Sequence, residues 1–432
     1  MKLKKLASLA LATMMAFSVA SCGSSSSTET PSQTKDGNSL TIWAWDELFN
    51  IVAVKDAITA FTATHPDTKI EVVTIAQADI VTKLNTSLSS KSYSGLPDIV
   101  LIEDYRIPGY LSSFPDEFAD LSPLVNADSF APFKSKACLV DGKMYGVPFD
   151  SGVAATFYRQ DLVEQAGYTA ADMENLTWEK YIEIAKAVKE KTGVPMLTMD
   201  PSEAPYLRLM MQSAGTWYTD EEGNVNLENN QALKDGMKIL KDLQDVGGIK
   251  QVSGWDSYVG AMNSGEVASV VTGCWITPSI KNAEDQSGKW GVAKFPKMAV
   301  NPDSVNYSSL GGSAWYVLKN VGNTELATQF LAETLGSDEN IINDLEEQIS
   351  LVSALTLAKD TPNAKREDAF FNNQKVMEDF LTWNEDVPAI NYGSHTYAIE
   401  SLVAEAMQEY LAGGDLDTIL KNYQTQAESM IA

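Results

Sequence analysis

Histidine is nearly absent from this chain: there are two in 432 residues, at positions 65 and 395. Cysteine is scarce as well, with three, and 32 Lys plus Arg stand against 58 Asp plus Glu, for a formal net charge of −26. Three cysteines cannot build a disulfide framework. With His65 beside a helix-breaking Pro66 and His395 far away, Ser-His-Asp or Cys-His chemistry has few candidates. The shortage of base argues against nucleic acid, whose phosphates need clustered Lys and Arg, and against adsorption to anionic lipid. Past the amino terminus no run approaches 18 uninterrupted apolar residues, so no transmembrane helix is expected. Also missing are a G-x-S-x-G elbow, an H-E-x-x-H pair, a P-loop and a G-x-G-x-x-G turn after a strand. A glycosidase carboxylate pair stays open, because the separation that matters there is spatial. What remains is the 44% hydrophobic, 21% charged composition of a globular protein, long enough for two or three domains.

The amino terminus supplies an address. Met1–Lys5 is basic and Leu6–Ala20 is apolar but short for a bilayer span, the pattern of a secretory signal. Val19-Ala20-Ser21-Cys22 resembles the bacterial lipobox, in which the cysteine thiol is lipidated and becomes the first residue. Residues 1–21 are thus expected to be a signal peptide and 22–39, rich in serine, a flexible tether. The expected protein is extracytoplasmic and anchored to the cell membrane through Cys22 without crossing it. Cys138 and Cys274 show no metal-type spacing and read as buried, inert thiols.

Strand and helix patterns then alternate. Leu40–Trp45 reads as a strand, Val54, Ile58 and Phe61 as one helical face, and Lys69–Ile75 as a second strand. Ile80, Leu84 and Leu88 mark another helix, and Pro97–Ile102 is a continuous apolar run suited to a strand covered on both faces. This order predicts a parallel, doubly wound α/β sheet with Glu103-Asp104 at a strand's carboxyl end, where such sheets place ligands. Further along, Thr177 caps a helix to about Lys191, and a helix over 229–246 ends at Gly247-Gly248. Ser269–Gly273, Trp290–Ala293 and Ala314–Leu318 read as strands, and the last hundred residues as mostly helical. Asp220–Asn224 misses the calcium-loop template and reads as a β-turn, so no metal and no cofactor are expected.

Aromatic residues cluster at predicted strand ends: Trp43, Trp45, Trp275 and Trp315, with Asp46, Glu103, Asp104, Asp150 and Gly311-Gly312-Ser313 nearby. An indole covers the C–H face of a pyranose while a carboxylate accepts hydroxyl protons, so this mixture suits a neutral polyol better than an anion. Trp178, Trp255 and Trp290 are assigned to packing.

The stretches "LTIWAWD", "LPDIVLIED", "DGKMYGVPFDSGVAATFYRQDL", "TWEKYIEIAKAV", "AMNSGEVASVVTGCW" and "SSLGGSAWYVLKN", in this order and behind a lipobox, resemble the extracellular solute-binding proteins of carbohydrate ABC importers. The resemblance implies a maltose-binding-protein-like, periplasmic-binding-protein type II fold: two α/β lobes joined by a multi-crossing hinge, with a helical C-terminal part. The first lobe would take 40–148 and 310–350, the second 151–307 and 354–432, with crossings near 146–152, 307–312 and 350–354. Carried over by position, the ligand-binding set is Trp43, Trp45, Asp46, Glu103, Asp104, Asp150, Trp217, Trp275, Gly312, Ser313, Trp315 and Tyr392. Trp217 and Tyr392 in this set, with Tyr218 and Trp383 outside it, are weaker candidates because their segments vary across the family, and Cys274 departs from the acidic or small polar residue common before the tryptophan. The implied protein is no enzyme. It would be a monomer that binds a mono- or oligosaccharide between its lobes and delivers it to permease subunits. The alternatives are a lipid-anchored polysaccharide-processing enzyme, a binding protein for a non-sugar ligand, and a structural envelope lipoprotein.

Overall fold

The computed structural model describes residues 37–431; the signal sequence, Cys22 and most of the tether lie outside the described residues. The chain forms strands β1 (Ser39–Ala44), β2 (Lys69–Thr74), β3 (Ile99–Glu103), β4 (Leu139–Val140), β5 (Lys143–Met144) and β6 (Gly146–Arg159). It continues with β7 (Leu197–Met199), β8 (Ile249–Gln251), β9 (Ser269–Gly273), β10 (Trp290–Lys294) and β11 (Ser309–Val317). The periodicities are borne out: helices Asn50–Thr64 and Gln77–Ser90 separate the first three strands. Thr177 caps helix Trp178–Thr192 by accepting from the Lys180 amide at 3.2 Å, and Gly193 ends it in the left-handed region. Asn230 caps helix Gln231–Asp245 in the same way, accepting from the Leu233 amide at 3.1 Å.

The main sheet has seven strands in the order β10-β6-β11-β3-β1-β2, with β9 also paired to β6. The parallel expectation holds for β2-β1-β3 and fails beyond them: β11 lies antiparallel to both β3 and β6, and β9 and β10 lie antiparallel to β6. One strand joins the two parts of this sheet. The first half of β6, Gly146–Ser151, pairs with β11, and its second half, Ala154–Arg159, pairs with β9 and β10. A third segment runs beside them, since the Ser151 amide donates to the Val352 carbonyl at 2.8 Å and the Ala354 amide to the Phe149 carbonyl at 2.9 Å. The segments near 150, 310 and 352 therefore lie side by side.

β11 begins at Ser309, five residues before the strand read from the sequence, because Gly311 and Gly312 carry it through a register shift at φ +86° and +101°. At Gly312 a Cβ would come within 2.6 Å of the Asp104 carboxylate and 2.8 Å of the Lys134 ammonium, so only glycine fits.

Two hydrophobic cores result. The first gathers Ile42, Val54, Phe61, Ile99, Trp315 and Phe330, and the second Trp178, Tyr181, Leu233, Leu240, Val403 and Leu420. Residues such as Phe370, Phe380 and Leu381, which the sequence placed with the second lobe, pack into the first core. Cys138 and Cys274 are free and buried, and burial pushes both thiols up, Cys138 to about 12, where they stay protonated. Among the described residues no helix is long and apolar enough to cross a membrane.

Candidate functional site

The loop after β9 turns at once into the short helix Cys274–Ile276, which throws Trp275 outward: it is 37% exposed, while the residues on either side are buried. Its indole N–H donates to the Leu310 carbonyl at 2.7 Å. Glycines make this possible. A Cβ on Gly273 would lie 2.2 Å from the indole nitrogen, and one on Gly152 would lie 2.0 Å from the Leu310 oxygen. The platform is thus fixed to the crossing strand.

Trp275 lines a cavity of about 270 Å³ that reaches from Glu103 at the end of β3 to the helix Trp255–Asn263. Trp255, 51% exposed at the start of helix Trp255–Asn263, stands 5.8 Å from Trp275 between ring centroids and stacks on Tyr258 one turn later. Glu103, at the end of β3, brings a carboxylate that is ion-paired to Arg106 and accepts from the Tyr397 hydroxyl, and Asp200 and Glu203 add two more. The one arginine in the lining, Arg208, is already matched: its guanidinium lies 3.0 Å from Glu400 and 5.0 Å from the Tyr105 ring centroid. Burial raises the Glu400 carboxyl, with Arg208 opposing. Exposed indole faces, carboxylate acceptors and a neutralised cation make a site for an uncharged, hydroxyl-bearing ligand.

Of the twelve residues nominated from the sequence, the structure brings Glu103 and Trp275 to this cavity; the others lie elsewhere. Trp43 is 6% exposed because β1 is flanked on both sides, with Val73 and Val100 as its neighbours in β2 and β3. Trp315 is fully buried, 5.6 Å from the Phe149 ring. Trp217 is buried behind Tyr105, stacked at 5.5 Å, and its indole N–H donates to the Thr396 hydroxyl at 2.9 Å. Tyr392 is buried too and its hydroxyl accepts from Gln212 at 3.1 Å. Trp45 is half-buried against the first core, and Asp46 is exposed, with its carboxylate accepting from the Leu48 amide at 2.9 Å.

Asp104 needs the fullest correction. It is buried, ion-paired to the equally buried Lys134, which also donates to the Ser313 carbonyl at 3.2 Å. Burial lifts its carboxyl to about 6, with Lys134 opposing. Ser313 and Asp150 are likewise occupied with each other, hydroxyl to carboxylate, and Gly312 covers the Asp104–Lys134 pair. These groups brace the crossing and do not line the cavity.

Sequence reasoning missed Trp255, which it assigned to packing, and also Tyr105, Tyr206, Tyr258 and Tyr397. A signal existed for the first: Gly254 followed by Trp and Tyr three apart places two rings on one face of a short helix. Trp178 and Trp290 are buried as expected, and Trp383 is buried in the first core. A larger groove of about 570 Å³ has Tyr392 as its only Tyr, Phe or Trp, and that ring is buried.

The model of the bacterial extracellular solute-binding proteins matches residues 56–372. The chain belongs to that family. This solute-binding protein is 40% identical over 392 residues to the lactose-binding protein of Rhizobium radiobacter, covering 91% of this chain and 93% of that one. It is 29% identical to the arabinooligosaccharide-binding protein of Bacillus subtilis, over 77% and 76% of the two chains. Among solved structures, the galacto-N-biose-/lacto-N-biose I-binding protein of the ABC transporter from Bifidobacterium longum superposes with a TM-score of 0.73 at 24% identity, covering 92% of this chain and 98% of that one. The sugar-binding protein MalE of Xanthomonas citri gives 0.76 at 18% identity, over 90% and 96%. The fold expected from the resemblance is therefore the one observed. The family is one of binding proteins, not of enzymes.

Proposed function

We propose that this solute-binding protein captures a β-galactoside disaccharide, of which lactose is the simplest, in the cavity under Trp275, and delivers it to the permease of an ABC importer. The observation that carries the reading is the pair of exposed indoles, Trp275 and Trp255, facing carboxylates across a cavity whose only arginine is neutralised by Glu400. Indole faces take the apolar face of a pyranose, and Glu103, Asp200 and Glu203 accept its hydroxyl protons. The 40%-identical lactose-binding relative directs the choice of sugar.

The two hydrophobic cores support a division into lobes that close on one another, with the adjacent crossings near 146–152, 307–312 and 350–354 as the hinge. Sugar touching both lobes favours the closed form by its differential affinity, and the closed form docks on the permease. Cys22, lipidated after removal of residues 1–21, holds the body at the outer face of the cell membrane as a monomer. A thermal-shift panel of lactose, other mono- and oligosaccharides, anions and peptides tests the ligand class. Stabilisation by lactose or a related galactoside is expected; stabilisation by an anion or peptide, with every sugar silent, would overturn it.

A further inference from the structure

A second cavity, of about 250 Å³, shares two wall residues with the first: Tyr105 and Tyr397 line both. The two differ in how firmly they are held. Tyr105 is buried, its hydroxyl donates to the Ser309 carbonyl at 3.3 Å and accepts from the Gly311 amide at 3.1 Å, and its ring lies against Trp217 and Tyr392. It belongs to the crossing and is not free to move. Tyr397 stands half-buried at the beginning of helix Thr396–Leu411. One hydrogen bond holds its tip, the hydroxyl donating to Glu103 at 2.8 Å; around its ring, the Arg106 and Arg208 guanidiniums lie 4.1 and 6.0 Å from the centroid and the Tyr105 ring meets it edge-on at 6.2 Å.

The space behind Tyr397 has no tryptophan and no carboxylate in its lining, but it too sets polar groups beside rings. Asn85 and Ser113 offer polar groups there, beside an Arg106 that is ion-paired to Glu103, and Tyr110 and Phe114 offer rings. The first cavity alone lies near the small end of ligand pockets, which run about 300–1,000 Å³, and the two together come to roughly twice its volume.

Resting on the sugar-binding reading above, we propose that Tyr397 is a chain-length gate. With its hydroxyl on Glu103, the cavity ends after a disaccharide. With the ring turned off Glu103, the two cavities join and the second receives the next sugar residues. A longer ligand must break the Tyr397–Glu103 bond and the Arg106 contact before it can seat, and a disaccharide need not; the protein therefore prefers the shorter chain.

The test is calorimetric titration of the purified protein and two variants with lactose and with its galactosyl-extended tri- and tetrasaccharides. For the unaltered protein, lactose should bind about tenfold more tightly than either longer chain. Tyr397→Ala should bring that ratio close to one, and Tyr397→Phe, which keeps the wall and loses the latch, should reduce it by less. The ratio is the readout because general loosening of the fold weakens all three ligands together. If Tyr397→Ala does not fold, the Phe variant decides: an unchanged ratio overturns the gate. Equal binding of all three chain lengths by the unaltered protein, or an unchanged ratio in Tyr397→Ala, overturns it as well. Lactose binding with an unchanged ratio contradicts the gate alone, whereas silence from every saccharide contradicts the sugar reading and the gate with it.

Discussion

The indole N–H of Trp275 donates to the carbonyl of Leu310 at 2.7 Å, so an exposed ring of the cavity wall is bonded directly to the backbone of β11. A ligand stacked on that ring would be one hydrogen bond away from the β11 backbone.

This connection predicts different outcomes for two substitutions. Trp275→Ala removes platform and bond together and should weaken lactose binding by about 1–3 kcal/mol, the scale of burying a large apolar side chain. Trp275→Phe keeps a ring face and loses only the N–H donor, a change of about 1 kcal/mol. Calorimetric titration of both variants measures the split; equal losses would mean that stacking contributes little.

Gly152 and Gly273 should tolerate no side chain. A Cβ on Gly152 meets Leu310 backbone at 2.0 and 2.6 Å, and one on Gly273 meets both the indole and the Leu310 oxygen. Gly152→Ala is expected to lower the melting temperature more than Gly273→Ala, since backbone cannot step aside as an indole tip can; overpacking of this kind costs about 1–3 kcal/mol or more. Gly273→Ala should instead show mainly in weakened sugar binding.

The buried Asp104–Lys134 pair predicts a non-additive pair of mutants. Lys134→Met strands a buried carboxylate and should destabilise by about 3–5 kcal/mol, while the double variant Asp104→Leu/Lys134→Met should recover most of that loss. Chemical denaturation of Lys134→Met, Asp104→Leu and the double variant measures the coupling.

Glu346 predicts how stability changes with pH. Its carboxyl is buried, accepts from the Thr361 hydroxyl, and is lifted by burial to about 7 from an ordinary 4.5. The folded state holds this proton more tightly than the unfolded chain does. The contribution is therefore full below about 4.5 and lost as pH rises through about 7. Glu346→Gln should flatten the fall in melting temperature between these values and leave the variant more stable than the parent at pH 8.

Much of the architecture was legible because its causes are local. Period and caps placed helices 50–64, 77–90, 178–192 and 231–245 to within a few residues, and the apolar run at 97–102 marked β3. The return of β11 antiparallel to β3 was not legible, because strand direction depends on partners some two hundred residues away. The same non-local fact decided the aromatics. Trp43, Trp275 and Trp315 look alike in sequence, at strand ends with glycine or acid near. Trp43 and Trp315 sit inside strands with neighbours on both sides and are buried, whereas Trp275 lies two residues past its strand in a tight turn and points out. Asp104 and Glu103 are adjacent, yet the first turns inward to Lys134 and the second outward to the cavity. Only the turn that begins at Asp104 and the buried lysine tell them apart.

The anchor is tested separately from the ligand. Cys22→Ser should move the protein from the membrane fraction to the soluble fraction of the envelope and leave its sugar affinity unchanged; retention at the membrane would contradict lipidation.

The most direct measurement is a calorimetric titration of the purified protein with lactose, alongside the Trp255→Ala/Trp275→Ala double variant. The account predicts saturable one-to-one binding by the parent and its loss in the double variant. No heat from lactose or any related saccharide, or an affinity unchanged when both indoles are gone, would contradict it.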